Sequence, residues 1–181
     1  MSNSTNINIA FIERLYAVCD KLQLKKPDSF ICVCIERQTL YYYEKQKQAL
    51  TFTISTSSYG IGNKEGSNKT PLGLHRIENK IGEDAAPWTI FKSRENTGVI
   101  WQPGMNDENQ ILSRILRLRG LEEGVNAGAG IDSYDRYIYI HGTNHEEKIG
   151  TPMSHGCVCM KNDDIIKMFD IVEEDTLVYI G

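Results

Sequence analysis

No stretch of this sequence holds eighteen consecutive apolar residues, which excludes a spanning hydrophobic helix. Positive charge is not in surplus either. Twenty Lys and Arg face 24 Asp and Glu, a formal net charge of −4. The chain therefore has no general attraction to phosphate backbones, and sequence-independent nucleic-acid binding is not expected. The glycine-rich stretch Gly124–Gly130 lacks phosphate-binding spacing and a Gly-Lys-Ser/Thr, so it argues little for a nucleotide site. A basic start followed by an apolar core, the pattern of a secretory signal, is also missing. No Lys or Arg precedes Arg14, and the apolar run Ile9-Ala10-Phe11-Ile12 stops at Glu13. An even cysteine framework is absent as well. Of five cysteines, Cys32/Cys34 and Cys157/Cys159 form two Cys-x-Cys pairs too short to close a useful loop, and Cys19 is left over. These features predict free thiols in a reducing cytoplasm, with a periplasmic location by a non-classical route as the alternative.

What is present describes one globular domain. Across 181 residues, 40% are hydrophobic, enough to bury a core without disulfide or metal staples. Ile9, Ile12, Leu15, Tyr16, Cys19 and Leu22 recur at helical spacing, with Thr5 or Asn6 as a cap. Residues 1–28 thus read as a helix and linker. From residue 29 the pattern turns to strands: Phe30–Ile35 and Leu40–Tyr43 as a hairpin, then Ala49–Ser55. Residues 57–71 form a polar loop, and a strand runs near Leu72–Ile77. Irregular chain is expected through Trp88 and Trp101. Ile111, Leu112, Ile115, Leu116 and Leu118 suggest a second helix ending at Gly120. Arg136–Ile140 and Thr176–Ile180 read as strands, with a helix over Asp163–Phe169 capped by Asn162. Tyr41–Tyr43, Tyr137 and Tyr139 read as residues buried with period two, and Arg114, Arg117 and Arg119 as solvated surface. The fold class is α+β, mostly β and mostly antiparallel.

Three residue sets carry possible chemistry. His141 at a strand end lies sixteen positions before Cys157. A cysteine nucleophile needs such a base, or an electropositive neighbour that lowers its thiol pKa. Gly142 exposes backbone whose carbonyl can orient the imidazole, and His155-Gly156 lets backbone N–H groups approach an oxyanion. The bland reading is a structural Cys near an incidental His. His141, His145, His155, Cys157 and Cys159 form a second set whose donor types suit zinc. Against it, Cys-x-Cys is shorter than the usual ligand spacing. The third is redox work by Cys157-Val-Cys159, whose side chains share one face of an extended strand.

The segments His141-Gly-Thr-Asn144, Ile149-Gly-Thr-Pro152 and Ser154-His-Gly-Cys-Val-Cys-Met160 resemble the catalytic signature of the L,D-transpeptidase (YkuD-type) family. Leu40–Glu44, Thr70-Pro71-Leu72-Gly73 and Asp175–Ile180 are similar to other segments of that family, so the resemblance covers residues 29–181. It implies an L,D-transpeptidase-like β-sandwich or barrel with a few helices, acting on peptidoglycan stem peptides without a cofactor or metal. It also implies roles. Cys157 attacks the carbonyl between the diamino acid and D-alanine, and His141 carries the proton. The Gly142 region supplies the orienting carbonyl. His155, Gly156 and the Cys157 amide surround the oxyanion. Ser154, Thr143 and Arg136 are the substrate-binding candidates, with Ser154 supporting the turn.

One departure stands out, since the family has Arg where this chain has Cys159. A fixed guanidinium fork is thereby lost, and a substrate carboxylate must be met by another cation such as Arg136, Lys148 or Lys161. The expected activity is a cytoplasmic L,D-carboxypeptidase that trims tetrapeptide or muropeptide fragments in peptidoglycan recycling. Cross-linking transpeptidation is the alternative. An inactive binding module of the same fold is a second one.

Overall fold

The run Phe30-Ile-Cys-Val-Cys is apolar at every position, so its strand must be covered on both faces. In a computed structural model, which describes residues 2–105 and 108–181 with side chains from Ala10 onward, that is its situation. Strand β1 (Ser29–Cys34) turns Phe30, Cys32 and Cys34 toward helix α1 (Ser2–Lys21), where Phe11, Leu15 and Cys19 bury the helix's apolar stripe. Its other face, Ile31 and Val33, enters the main core. The helix begins at Ser2, so Thr5 and Asn6 are helical rather than capping, and their side chains lie outside the described ones.

Further strands follow in chain order: β2 (Thr39–Glu44), β3 (Lys47–Thr53), β4 (Gly73–Ile81), β5 (Thr89–Lys92), β6 (Glu95–Ile100) and β7 (Ile111–Gly120). β8 (Tyr139–Gly142), β9 (Val158–Met160), helix α2 (Asn162–Ile171) and β10 (Leu177–Ile180) complete the chain. The sheet runs β3-β2-β1-β10-β4-β7, from which β8 and β9 continue on one side and the β5–β6 hairpin on the other. Only β1–β10 and β8–β9 are parallel pairs among the described strands. Past β3, Ser55 exchanges two backbone hydrogen bonds with Cys159, at 2.9 and 2.7 Å, and so joins the two ends of the sheet into a ring. Inside lie Ile54, Leu116, Ile140, Val158 and Met160, with Ile165, Met168 and Phe169 of α2. This is a mostly β, α+β single domain.

Three elements differ from the sequence reading. Ile111–Leu118, expected as a helix, is the central strand β7. A bulge between Leu112 and Ile115, with Ser113 at φ 66°, skips the period-two alternation and imitates helical spacing. Arg114 and Arg117, expected in solvent, are 7% and 8% exposed. Their guanidiniums lie over the rings of Phe169 and Tyr134, and their N–H groups reach backbone carbonyls. The chain between Trp88 and Trp101 is not irregular but forms the β5–β6 hairpin, closed at its base by stacking of those two rings. Finally, the strand expected from Arg136 starts only at Tyr139. Tyr137, expected to be buried, has φ 56° and is 53% exposed.

Candidate functional site

Strand periodicity and parallel pairing assemble the site. Ile140 pairs with Val158, and both face the core, so their neighbours His141, Cys159, Tyr139 and Cys157 face the other way. His141 and Cys159 are direct partners in the register. Cys157 lies one step before β9, alongside Tyr139, whose backbone N–H donates to its Sγ at 3.4 Å. The thiol in turn donates to the Tyr137 carbonyl at 3.5 Å.

The imidazole is buried and held by its own backbone. His141 Nδ1 lies 2.7 Å from the Gly142 carbonyl, which can only accept. Nδ1 therefore carries the proton and Nε2 presents its lone pair. That lone pair faces the Cys159 thiol at 3.8 Å, while Asn109 Nδ2 donates to the same sulfur at 3.7 Å. Burial lowers the His141 pKa to about 4, partly opposed by the Gly142 carbonyl. Burial likewise raises Cys157 to about 11, against the Tyr139 N–H and the nearby Arg136, and raises Cys159 to about 12. At neutral pH the resting set is two thiols and a neutral imidazole. The depressed thiol pKa expected of a nucleophile is not present, because desolvation of the thiolate outweighs one N–H and one guanidinium.

The turn before Cys157 is self-supporting. Ser154 Oγ donates to the Cys157 carbonyl at 2.6 Å and accepts the Gly156 N–H at 3.2 Å, which ties the two ends of the turn together. Gly156 has φ 125°, which calls for glycine, and a Cβ there would also crowd Ile138 Cδ1 at 3.1 Å. Gly142 is fixed by packing alone. A Cβ would lie 2.5 Å from Asn162 Oδ1 and 2.7 Å from the Leu112 carbonyl.

The remaining candidates separate. Thr143 is buried, donating to Asn109 Oδ1 at 2.7 Å and accepting the His145 N–H, so it shapes the turn below His141. His155 is exposed, 5.4 Å from the Tyr59 ring, and stands between two clefts. One, of about 500 Å³, includes Asn109, His145, Lys148 and Met153; the other, of about 260 Å³, includes Glu65, Asn68, Arg136 and Tyr137. Arg136 donates to the Gly62 and Lys69 carbonyls, clamping the 57–71 loop beside the nucleophile. Among the described residues, no group of three or more His, Cys, Asp and Glu side chains is gathered to hold a metal.

Two contributors escaped the sequence reading. Asn162, expected as a helix cap, is the first helical residue. Its amide donates to the Thr143 carbonyl at 2.8 Å and to Glu146 Oε1 at 2.7 Å, and it accepts from Ser113, so it underpins the His141–Thr143 turn. Asn109 reaches Cys159 from the segment before β7. Neither belongs to a local motif, and only the folded topology brings them in.

The family model described as YkuD, L,D-transpeptidase catalytic domain, matches residues 28–180. A Salmonella typhimurium protein named Probable L,D-transpeptidase ErfK/SrfK is 30% identical over 169 residues, covering 87% of this chain and 47% of its own length. Escherichia coli K12 Probable L,D-transpeptidase YbiS is 30% identical over 167 residues, covering 86% and 46%. The chain thus spans about half the length of these relatives. Among solved structures, an L,D-transpeptidase of Enterococcus faecium aligns with TM-score 0.53 at 19% identity, covering 86% of this chain and 50% of that one. One from Mycobacterium tuberculosis H37Rv aligns with TM-score 0.53 at 14% identity, covering 87% and 59%. At such identities these structures speak for the fold.

Proposed function

Because this chain belongs to the YkuD L,D-transpeptidase catalytic-domain family, we propose that it is a cysteine acyl-transfer enzyme that cleaves the diamino acid–D-alanine bond of peptidoglycan stem peptides. The observation that carries the reading is the parallel β8–β9 pair. It sets the Cys159 thiol against an imidazole whose Nδ1 proton is fixed on Gly142 O, with Cys157 one step before β9 on the same face. Substrate brings the scissile carbonyl to Cys157 Sγ, and the thiol proton passes to His141 Nε2 as the S–C bond forms. At rest Nε2 faces Cys159 and the Cys157 thiol faces the Tyr137 carbonyl, so this step requires the thiol to swing from that carbonyl toward Nε2. The Gly156 amide is engaged by Ser154, which leaves the Cys157 amide as the donor to the oxyanion. Collapse breaks the C–N bond, and the imidazolium returns its proton to the departing D-alanine amine. Water then attacks the thioester, gives a proton to His141, and releases the tripeptide as the sulfur recovers its hydrogen.

We take water rather than an amine as the acceptor, in a cytoplasmic setting where the enzyme trims recycled fragments. All five cysteines are free thiols, which suits a reducing compartment. Transpeptidation is the second reading, favoured by the names of the curated relatives. The discriminating experiment supplies a soluble murein tetrapeptide with and without an amine acceptor. Tripeptide and free D-alanine in both cases support hydrolysis. Cross-linked dimers, or exchange of D-amino acids, replace it with transpeptidation.

A further inference from the structure

We infer that Arg94, at the tip of the β5–β6 hairpin, is a specificity-determining residue that binds a carboxylate of the stem peptide next to Cys157; this rests on the substrate reading above. Lys92 pairs with Glu95, so Ser93 and Arg94 form a two-residue connection, and both have positive φ, 50° and 70°. Such a turn favours Asn-Gly, and an arginine held there is strained by about 1 kcal/mol or more. The β2–β3 turn at Lys45 and Gln46 has the same pair of positive φ values, so the strain belongs to the tight turn, and what sets Arg94 apart is what its guanidinium meets.

The tip is turned onto the two residues that bracket the nucleophile. Arg94 Nη1 donates to Tyr139 Oη at 3.2 Å, and its guanidinium lies 4.9 Å from the Tyr137 ring centroid. Tyr139 is the residue whose N–H meets Cys157 Sγ, and Tyr137 is the one whose carbonyl accepts its thiol. The guanidinium is thus oriented by a hydrogen bond and a ring face while most of its donors stay unspent. Three other arginines are already committed. Arg136 is bonded to two carbonyls, Arg117 to the Tyr134 carbonyl, and Arg119 to Glu78 at 3.1 Å. Among the described residues, no carboxylate lies within ion-pair distance of Arg94. A chain with a thiol at 159 thus has a planar cation held on the side chains of Tyr137 and Tyr139, the two residues whose backbone meets the Cys157 thiol. Two carboxylates flank the scissile bond in an acidic stem peptide, the terminal one of D-alanine and the side-chain one of the diamino acid. Both offer the chemistry that a guanidinium fork reads.

The test compares the unaltered protein, Arg94→Gln and Arg94→Gly on three tetrapeptides: the free acid, its D-alanine amide and its diamino-acid side-chain amide. Glycine suits the +70° φ, so Arg94→Gly preserves the turn. The expected result is that amidating one of the two carboxylates lowers kcat/KM of the unaltered protein about 10- to 100-fold, as loss of a charge-assisted bidentate contact should. Both variants lose the same factor on the free acid and no longer discriminate that amide. The sensitive amide identifies which carboxylate is bound. Equal losses on all three peptides, or no loss, overturn the inference while leaving the substrate reading intact. No turnover of any peptide by the unaltered protein overturns both.

Discussion

His141 presents Nε2 to the Cys159 thiol at 3.8 Å, and Cys157 stands beside that pair rather than within it. The base of this site is therefore occupied at rest by the Cys159 side chain. Because a hydroxyl donates as a thiol does, Cys159→Ser should keep kcat/KM within about threefold, since only a modest hydrogen bond is exchanged. Cys159→Arg should lower the thermal midpoint, as Cys159 is fully buried between His141 and Asn109 and a guanidinium must displace one of them. Thermal midpoints and kcat/KM of the two variants check this. Loss of all activity in Cys159→Ser would give that thiol a step in the reaction.

The pH profile follows from two neutral partners. His141 must be unprotonated to accept the thiol proton, and its pKa near 4 sets the acid limb of kcat/KM there. Cys157 must carry its proton into a concerted transfer, which sets the alkaline limb near 11. The profile should be flat between them. Iodoacetamide labelling of Cys157 should in turn rise about tenfold per pH unit toward 11, since the thiolate is the reacting form. His141→Ala should reduce turnover by about 10²–10⁴-fold, the span of a general base. An acid limb set by a depressed thiol pKa, with an alkaline limb set by the imidazolium well below 11, would instead indicate a preformed thiolate–imidazolium pair.

Gly142 is a tight point beside the base. Gly142→Ala puts a methyl against Asn162 Oδ1 and the Leu112 carbonyl, with α2 directly behind. The overpacking should destabilise the fold by about 1–3 kcal/mol. Displacement of His141 by about 1 Å should lower kcat/KM roughly 10²-fold. Denaturation midpoints and kinetics report the two separately. A variant with normal turnover would show that the turn yields without moving the base.

Acid lability should come from two histidines outside any ion pair. His75, bonded to Ser133 Oγ at 2.9 Å, and His141 both have pKa values lowered to about 4 by burial. The unfolded chain binds protons at these sites near pH 6.5, while the folded one does so only near 4. Stability is thus full above about 6.5 and declines as pH falls toward 4, by up to about 3 kcal/mol per histidine. Urea midpoints at pH 7, 5.5 and 4.5 measure the slope. His75→Gln should flatten it by about half.

Much of this site is legible in local sequence, because its parts are local. Cys157 with Ser154–Gly156 is a turn that supports itself, and His141-Gly142 needs only a strand end and a small residue. The strands β1, β2 and β10 announce themselves by β-branched and aromatic runs. β7 does not, because the bulge at Ser113 converts alternation into an apparent helical period, and its arginines are buried over aromatic rings rather than solvated. Asn109, Asn162 and Arg94 were equally hidden. Asn109 and Arg94 arrive from elements remote in sequence, Asn162 reads as a helix cap while its amide serves the His141–Thr143 turn, and Arg94 lies in a hairpin whose only sequence marks are two tryptophans that close its base.

Mass spectrometry of the intact protein, quenched during turnover of a soluble murein tetrapeptide, addresses the nucleophile directly. The account predicts a thioester adduct of the tripeptide acyl group on Cys157, matched by release of one D-alanine. The adduct should be absent in Cys157→Ala and unaffected in Cys159→Ser. An adduct on Cys159, or D-alanine release by Cys157→Ala, would contradict it.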